Sequence, residues 1–162
     1  YRARRPFHPE LLWQLIEDAK LIGIVRSKGF FWLATDMKSY YDWATAGAVF
    51  RFSPKGYWIA SIPEEHLPMK KSDVVKMATW QEPFGDRRQE IVFIGRKMNK
   101  DQIIADLNSC LLNDKEMALG ENCWKEQFNN PFVAAYDQKF MKNGEEETPH
   151  VHGPNCQHDH KE

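Results

Sequence analysis

Metal-coordinating side chains are concentrated in the last thirteen residues of this 162-residue chain. Imidazole or thiol groups are carried there by His150, His152, Cys156, His158 and His160. Imidazole nitrogen and thiolate sulfur are the donors that zinc, nickel and copper prefer. In an extended segment, residues two apart project to the same side, so the two histidines before Gly153 form one row and the three donors after it form another. Since five donors exceed the four of a tetrahedral site, the sequence predicts that this tail binds metal.

The dipeptide Gly153-Pro154 separates the two rows and is a turn signal that can fold one row onto the other. Zinc is the first choice of metal, with nickel, cobalt and copper as alternatives. A solvated polar tail or part of a purification tag is the other interpretation, although tags are normally uninterrupted histidine runs. The composition of the tail favours native metal binding over both.

The overall composition excludes several classes of protein. Lys and Arg number 22 against 23 Asp and Glu, so the chain lacks the basic excess of a general nucleic-acid or membrane-surface binder. No apolar run approaches the ~18 residues of a membrane span. The three cysteines form an odd set without a CxxC motif, which favours a reducing compartment and predicts a cytoplasmic protein. Because the first residue is Tyr1 and not Met, we expect a fragment whose upstream part is missing.

The elements that would position a site follow from the spacing of apolar residues. They are predicted as strands at residues 24–35, 43–52 and 89–95, and helices at 10–20, 72–79 and from the capping residue 99 to about 111. If residues 1–5 end a first strand, the order is β-α-β-β-α-β, which predicts an α+β fold with a ferredoxin-like antiparallel sheet and helices on one face. The strand at 89–95 is apolar on both faces, so it is predicted to be central and buried on both sides.

Three regions are predicted along the chain. Residues 1–115 form the α+β domain, and residues 116–140, whose apolar pattern is irregular, form a C-terminal extension that packs on it. Residues 141–162 form an acidic linker and the flexible His/Cys-rich tail, because apolar residues become scarce there. The motifs GxxxxGK[ST], GxSxG and HExxH are absent, and His8 and His66 are isolated. We therefore assign no catalytic and no cofactor-binding residue to this chain.

Several separated segments resemble one family. They are residues 4–9 (RRPFHP), 26–35 (RSKGFFWLAT), Trp80, 85–95 (GDRRQEIVFIG) and 110–112 (CLL). Together they resemble, in the right order and over about residues 1–114, the C-terminal domain of the CobW-type P-loop GTPases, which include the zinc metallochaperones.

The resemblance implies that the intact protein carries an N-terminal GTPase domain with a Walker A loop and a Cys-x-Cys-Cys metal motif. That domain would bind GTP and magnesium and hydrolyse GTP. The present chain would then be a partner-contacting and regulatory domain of a metallochaperone or metal-insertion protein in metal homeostasis. Its expected partners are the GTPase domain and a client metalloprotein, and a homo-oligomer is a further possibility.

Two alternatives belong to other classes. The run Lys28-Gly29-Phe30-Phe31-Trp32-Leu33 partly resembles the aromatic strand motif of the RNA-recognition motif, which shares the βαββαβ order. Against RNA binding, Phe31 stands where a small residue is wanted, and the run falls on the second strand instead of the third. The other alternative is a plain protein-interaction domain with a solubilising tail.

Overall fold

The computed structural model describes residues 1–18 and 21–143, the last six of them by backbone alone. Its centre is an antiparallel sheet of five strands: β1 (Arg2–Ala3), β2 (Ile24–Leu33), β3 (Asp36–Ala46), β4 (Val49–Tyr57) and β5 (Gln89–Gly95). The strands lie in the order β1-β5-β2-β3-β4, and each neighbouring pair is antiparallel. The prediction of a mixed fold built on an antiparallel sheet is confirmed.

The order of elements differs from β-α-β-β-α-β in the middle of the chain. The region 43–52, predicted as one strand, is divided by a tight turn at Gly47, whose φ of 58° suits a two-residue hairpin. The chain therefore forms three consecutive hairpin strands, β2, β3 and β4. The helix predicted at 72–79 is reduced to one turn, α2 (Lys71–Val74), in which only Val74 is buried.

Four longer helices complete the described part of the fold: α1 (Pro9–Glu17), α3 (Lys100–Ser109), α4 (Asp114–Gln127) and α5 (Pro131–Asn143). Pro9 occupies the first turn of α1, where its missing N–H costs nothing. The Asn99 side chain accepts a hydrogen bond from the backbone N–H of Gln102, so the predicted cap of α3 is confirmed. No helix in residues 1–18 and 21–143 combines the length and apolar character needed to cross a membrane.

One face of the sheet is covered by helices and forms the main core. Side chains of β2, β3 and β5 meet side chains of α1, α3 and α5 there, including Phe31, Tyr41, Trp43, Ile91, Leu12, Leu15, Ile103, Leu107 and Phe132. Aromatic rings supply much of the contact: the ring of Phe132 lies 5.5 Å from that of Phe31 and 5.0 Å from those of Trp13 and Phe52. Such edge contacts stabilise a core beyond the area they bury.

The C-terminal extension is helical where the sequence pattern is irregular. Gly120, with a φ of 80°, kinks α4 and interrupts the period that would identify a helix. The amide of Asn130, just before α5, donates to Thr35 Oγ1 at 2.7 Å, next to the end of β2. Phe132 then enters the core with no exposed surface. The extension thus supplies part of the core of residues 1–115.

Replacing Phe132 with alanine should lower the free energy of unfolding by about 3–5 kcal/mol, because it leaves a cavity among three aromatic rings. The neighbouring Val133 is 48% exposed, so Val133→Ala should change stability by no more than about 0.5 kcal/mol. Urea denaturation of both variants checks this. Equal, small losses would mean that α5 does not contribute to the core in solution.

Candidate functional site

The predicted metal ligands His150, His152, Cys156, His158 and His160 lie outside the described residues. The other two histidines differ in their environment. His66 is exposed in a short 3-10 helix, whereas His8 is only 9% exposed and its ring centroid lies 4.2 Å from that of Phe128. Within residues 1–18 and 21–143, no three His, Cys, Asp or Glu side chains are grouped so as to hold a metal ion. The metal site in the tail therefore stays a prediction from the sequence.

The segments that carry the family resemblance converge at one end of the sheet. The guanidinium of Arg4 donates to the backbone oxygens of Thr79, Gly85 and Arg87, at 2.9, 3.2 and 3.3 Å. These bonds join the start of the chain to the connection that leads into β5. A charged donor bound to several carbonyls of one loop fixes that loop strongly.

Two of these segments also meet at Gln89, the first residue of β5. Its side chain is fully buried; Nε2 donates to the carbonyls of Arg5 and Trp32, and Oε1 accepts from the N–H of Trp32. One amide group thus satisfies backbone groups of two segments that are 57 and 84 residues away in sequence. We refer to Gln89, Arg4 and the backbone groups they bind as the motif hub.

Backbone hydrogen bonds also join the segment after β1 to β2 and to the end of α3. The backbone N–H of Phe7 donates to the Trp32 carbonyl, and the Phe7 carbonyl accepts from Ala34. The His8 N–H donates to the carbonyl of Cys110, at the end of α3. The motif residues of four separated segments therefore hold one another in place, which is a structural role.

The turn at residues 85–87 is also structural. The Asp86 carboxylate accepts from the backbone N–H groups of Ile59 and Ala60. The Arg87 guanidinium donates to the carbonyls of Met37 and Phe84, and its burial lowers the pKa of the group. Both side chains thus bind backbone groups of this chain and hold the turn in place.

The second face of the sheet carries exposed side chains of β5 and β2, among them Val92, Ile94 and Lys28, and we call it the open face. Along two neighbouring rows, the strand register pairs Val92 with Lys28 and Ala44, and Ile94 with Arg26 and Ala46. Val92 and Ile94 are each 61% exposed. The prediction that β5 is buried on both sides is therefore wrong: its apolar residues are covered on the core face only. Exposed aliphatic side chains in a row are typical of a surface that contacts a partner.

Basic side chains of β2 lie beside these two residues on the open face. A concavity of about 640 Å³ between β2, β3 and β4 is lined by Arg26, Lys28, Arg51 and Val49, with Asp42 as its acidic member. The Asp42 carboxylate accepts a hydrogen bond from the Ser53 hydroxyl. The concavity therefore carries an excess of positive charge suited to an acidic partner.

The aromatic ring of Phe30, on this face, is in contact with other side chains of the protein. The guanidinium of Arg88 lies 4.8 Å from the centroid of the Phe30 ring, and Tyr40 and Trp58 contact its edges. Arg88 also donates to Glu90, a hydrogen bond that lowers the pKa of the Glu90 carboxyl, with Arg2 adding to the effect. Since Phe30 is capped and Phe31 lies in the core, the aromatic pair does not provide the stacking surface of an RNA-recognition motif.

Comparison with known proteins places these features in a family. Residues 1–111 match the family described as the cobalamin synthesis protein cobW C-terminal domain. The chain is 43% identical over 129 residues to the zinc-regulated GTPase metalloprotein activator 1 of Dictyostelium discoideum, covering 77% of this chain and 27% of that protein. It is 31% identical over 139 residues to a zinc chaperone of Mycobacterium tuberculosis, covering 85% of this chain and 34% of that protein.

Among solved structures, the Zn(II)-bound YjiA GTPase from E. coli is similar to this chain with a TM-score of 0.47 and 12% sequence identity. The similarity covers 69% of this chain and 28% of that one. The chain thus spans about a third or less of the length of the relatives it matches.

Removing the Gln89 amide should destabilise the fold markedly. Gln89→Met keeps roughly the same volume but removes the partner of the Trp32 N–H, the bond to the Arg5 carbonyl and one of the two bonds to the Trp32 carbonyl, which also accepts from the Phe7 N–H. Loss of these bonds should cost about 3 kcal/mol. The same change at Gln102, an exposed residue of α3, should cost no more than about 0.5 kcal/mol. Urea denaturation midpoints of the two variants test the difference. Similar midpoints would contradict a central role for Gln89.

Proposed function

Because the chain belongs to the family of CobW C-terminal domains, we propose that it is the partner-contacting domain of a GTP-dependent metal chaperone or metal-insertion protein. The observation that carries the proposal is the family match over residues 1–111. The names of the two relatives, which combine zinc with GTPase or chaperone activity, support it. In this proposal the nucleotide is bound by an upstream domain, since the present sequence has no phosphate-binding loop.

We propose the same division of the chain as the sequence predicts. Residues 1–115 form the family domain, residues 116–140 the extension, and residues 141–162 the linker and tail. The hydrogen bond of Asn130 to Thr35 and the burial of Phe132 favour an extension that packs on the domain over an independent unit. The upstream domain would bind GTP with magnesium and hydrolyse GTP, and a client metalloprotein would receive the metal.

The tail is proposed to hold zinc as cargo, through Cys156 and three of His150, His152, His158 and His160. Zinc accepts thiolate and neutral imidazole in tetrahedral geometry. Nickel, cobalt and copper remain alternatives because the same donors bind them. Ordering a polar segment opposes binding, so affinity should be lower than that of a closed structural site, as delivery requires.

Two further properties fit this function. Cys123 is a free cysteine, in keeping with the reducing cytoplasm that we propose as the location of the protein. The open face, which combines exposed aliphatic and basic side chains, provides a surface for a protein partner.

Zinc titration of the chain tests the tail assignment. Cys156→Ser should weaken zinc binding at least about tenfold, because it removes the thiolate, the strongest of the proposed donors. Cys123→Ser is the matched control. Cys123 lies in α4 and belongs to no group of three potential metal ligands among the described residues, so its replacement should leave zinc binding unchanged. Binding should also weaken as the pH falls through ~6.5, because protonated imidazole cannot coordinate.

A chain truncated after residue 140 gives the complementary result. It should lose zinc binding while keeping its melting temperature, since the hydrogen bonds and core described above lie within residues 1–140. Undiminished zinc binding after truncation would refute the tail as the site.

The isolated chain should not bind GTP in the presence of magnesium, whereas the full-length protein should bind and hydrolyse it. The physical reason is that P-loop GTPases hold the phosphates with the backbone nest and Lys of a Walker loop, a motif that this sequence does not contain. Isothermal titration of both proteins measures this. Micromolar GTP binding by the isolated chain would place a nucleotide site in this domain and contradict the division of labour.

A further inference from the structure

β4 forms one edge of the sheet. It is the last strand in the order β1-β5-β2-β3-β4, and within residues 1–18 and 21–143 it pairs with β3 on one side only. The strand lies in the middle of the chain, between β3 and the connection that leads to β5. An edge strand presents backbone N–H and C=O groups that can pair with a further strand.

The register identifies the backbone groups of β4 that are already used. The Gly47 N–H donates to the Val25 carbonyl, so every second residue of β3, counted back from Gly47, bonds to β2. The alternate residues of β3 bond to β4, where their partners are Val49, Arg51 and Ser53.

The residues between these partners have backbone groups that point outward. Phe50 and Phe52 alternate with the bonded residues, so their N–H and C=O groups face away from the sheet. Pro54, which has no N–H, follows at the next outward position, where a strand proline is tolerated. An added strand can therefore pair with β4 at two positions, Phe50 and Phe52.

The core face beside this edge is apolar and incompletely filled. Phe50 and Phe52 are only partly buried, and the ring centroid of Trp13 lies 6.1 Å from that of Phe52. A cavity of about 150 Å³ lies beside Phe50 and is lined also by Leu15 and Ile16 of α1. Apolar side chains of an added strand, placed opposite Phe50 and Phe52, would extend this core.

The open face at the same edge is basic. Arg51 is exposed there and lines the concavity described above together with Arg26 and Lys28. The acidic member of the concavity, Asp42, already accepts a hydrogen bond from Ser53. An acidic side chain opposite Arg51 would therefore meet an excess of positive charge.

The same charge argues against a second copy of this chain as the added strand. If two β4 strands paired antiparallel with Phe50 opposite Phe52, their Arg51 side chains would lie directly opposite each other. Like charges in that position are destabilising. A strand with acidic side chains does not meet this repulsion.

We propose that a partner protein adds a short strand to the outer edge of β4, through an extended segment in which apolar and acidic side chains alternate. Its apolar residues lie opposite Phe50 and Phe52, and the acidic residue between them lies opposite Arg51. Backbone hydrogen bonds hold the segment, and the side chains on its two faces select it. The inference rests on the proposed function, in which this domain contacts a partner protein.

Amide hydrogen exchange of the full-length protein tests the strand addition. The probe is a capped heptapeptide in which valine alternates with glutamate, and its control carries lysine in place of each glutamate. The acidic peptide should slow exchange of the Phe50 and Phe52 amides at least about tenfold, because both N–H groups then donate to the peptide. The amides of Arg51 and Ser53 already bond to β3 and should change far less, and the basic peptide should protect none of them.

A charge swap tests the side-chain preference. Arg51→Glu should weaken binding of the acidic peptide about tenfold and strengthen binding of the basic peptide, because the charge opposite the peptide changes sign. Lys115→Glu, at an exposed position of α4, is the matched control and should change neither affinity. Fluorescence anisotropy of labelled peptides measures both.

Two N-methylated forms of the acidic peptide separate backbone pairing from charge attraction. Methyl groups on the valine nitrogens, which face β4, should abolish the protection of Phe50 and Phe52. Methyl groups on the glutamate nitrogens point away from β4 and should leave the protection in place.

Several results would overturn the proposal. They are equal binding of the acidic and basic peptides, equal binding of the two methylated forms, and unprotected Phe50 and Phe52 amides at millimolar acidic peptide. Protection of these amides before any peptide is added would also overturn it: loss of that protection on dilution would identify a second copy as the occupant, and its persistence would identify another part of the full-length protein. In each case zinc binding and GTP hydrolysis would persist, so failure of the strand addition is distinguishable from failure of the proposed function.

Discussion

One buried amide joins three neighbouring parts of the sheet. The side chain of Gln89, the first residue of β5, is fully buried. It binds the Arg5 carbonyl, just after β1, and both the carbonyl and the N–H of Trp32 in β2. A buried amide must have partners, so these bonds restrict the possible relative positions of β1, β2 and β5. The positions of α1 and α3 follow through the hydrogen bonds around Phe7 and His8.

That arrangement accounts for the residues that identify the family. Arg4, Asp86, Arg87 and Gln89 are the kinds of side chain found in active sites, yet each binds backbone groups of this chain. Their hydrogen-bonding capacity is used to hold the sheet together. These family residues therefore have a structural role in the described part of the chain.

The sequence predicts local features of this fold well and distant ones poorly. The cap at Asn99 and the β5 strand follow from spacing within a few residues. The hairpin turn at Gly47 is missed because it lies inside a run of small and apolar residues without a polar turn signal. The exposure of Val92 and Ile94 cannot be predicted from β5 alone, since it depends on which segments fail to cover that face. The partners of Gln89 are too distant in sequence for any pattern to reveal.

In residues 1–18 and 21–143, no three His, Cys, Asp or Glu side chains are grouped so as to hold a metal ion. In small zinc domains, binding supplies the folding free energy, and releasing the metal unfolds the chain. Here the core is built from apolar and aromatic side chains such as Phe31, Trp43 and Phe132, and the motif hub is built from amide and guanidinium hydrogen bonds. If the tail holds zinc, the metal can leave without cost to these interactions. In the proposed function, a core that needs no metal for its packing suits delivery, because release of zinc from the tail would leave that core unchanged.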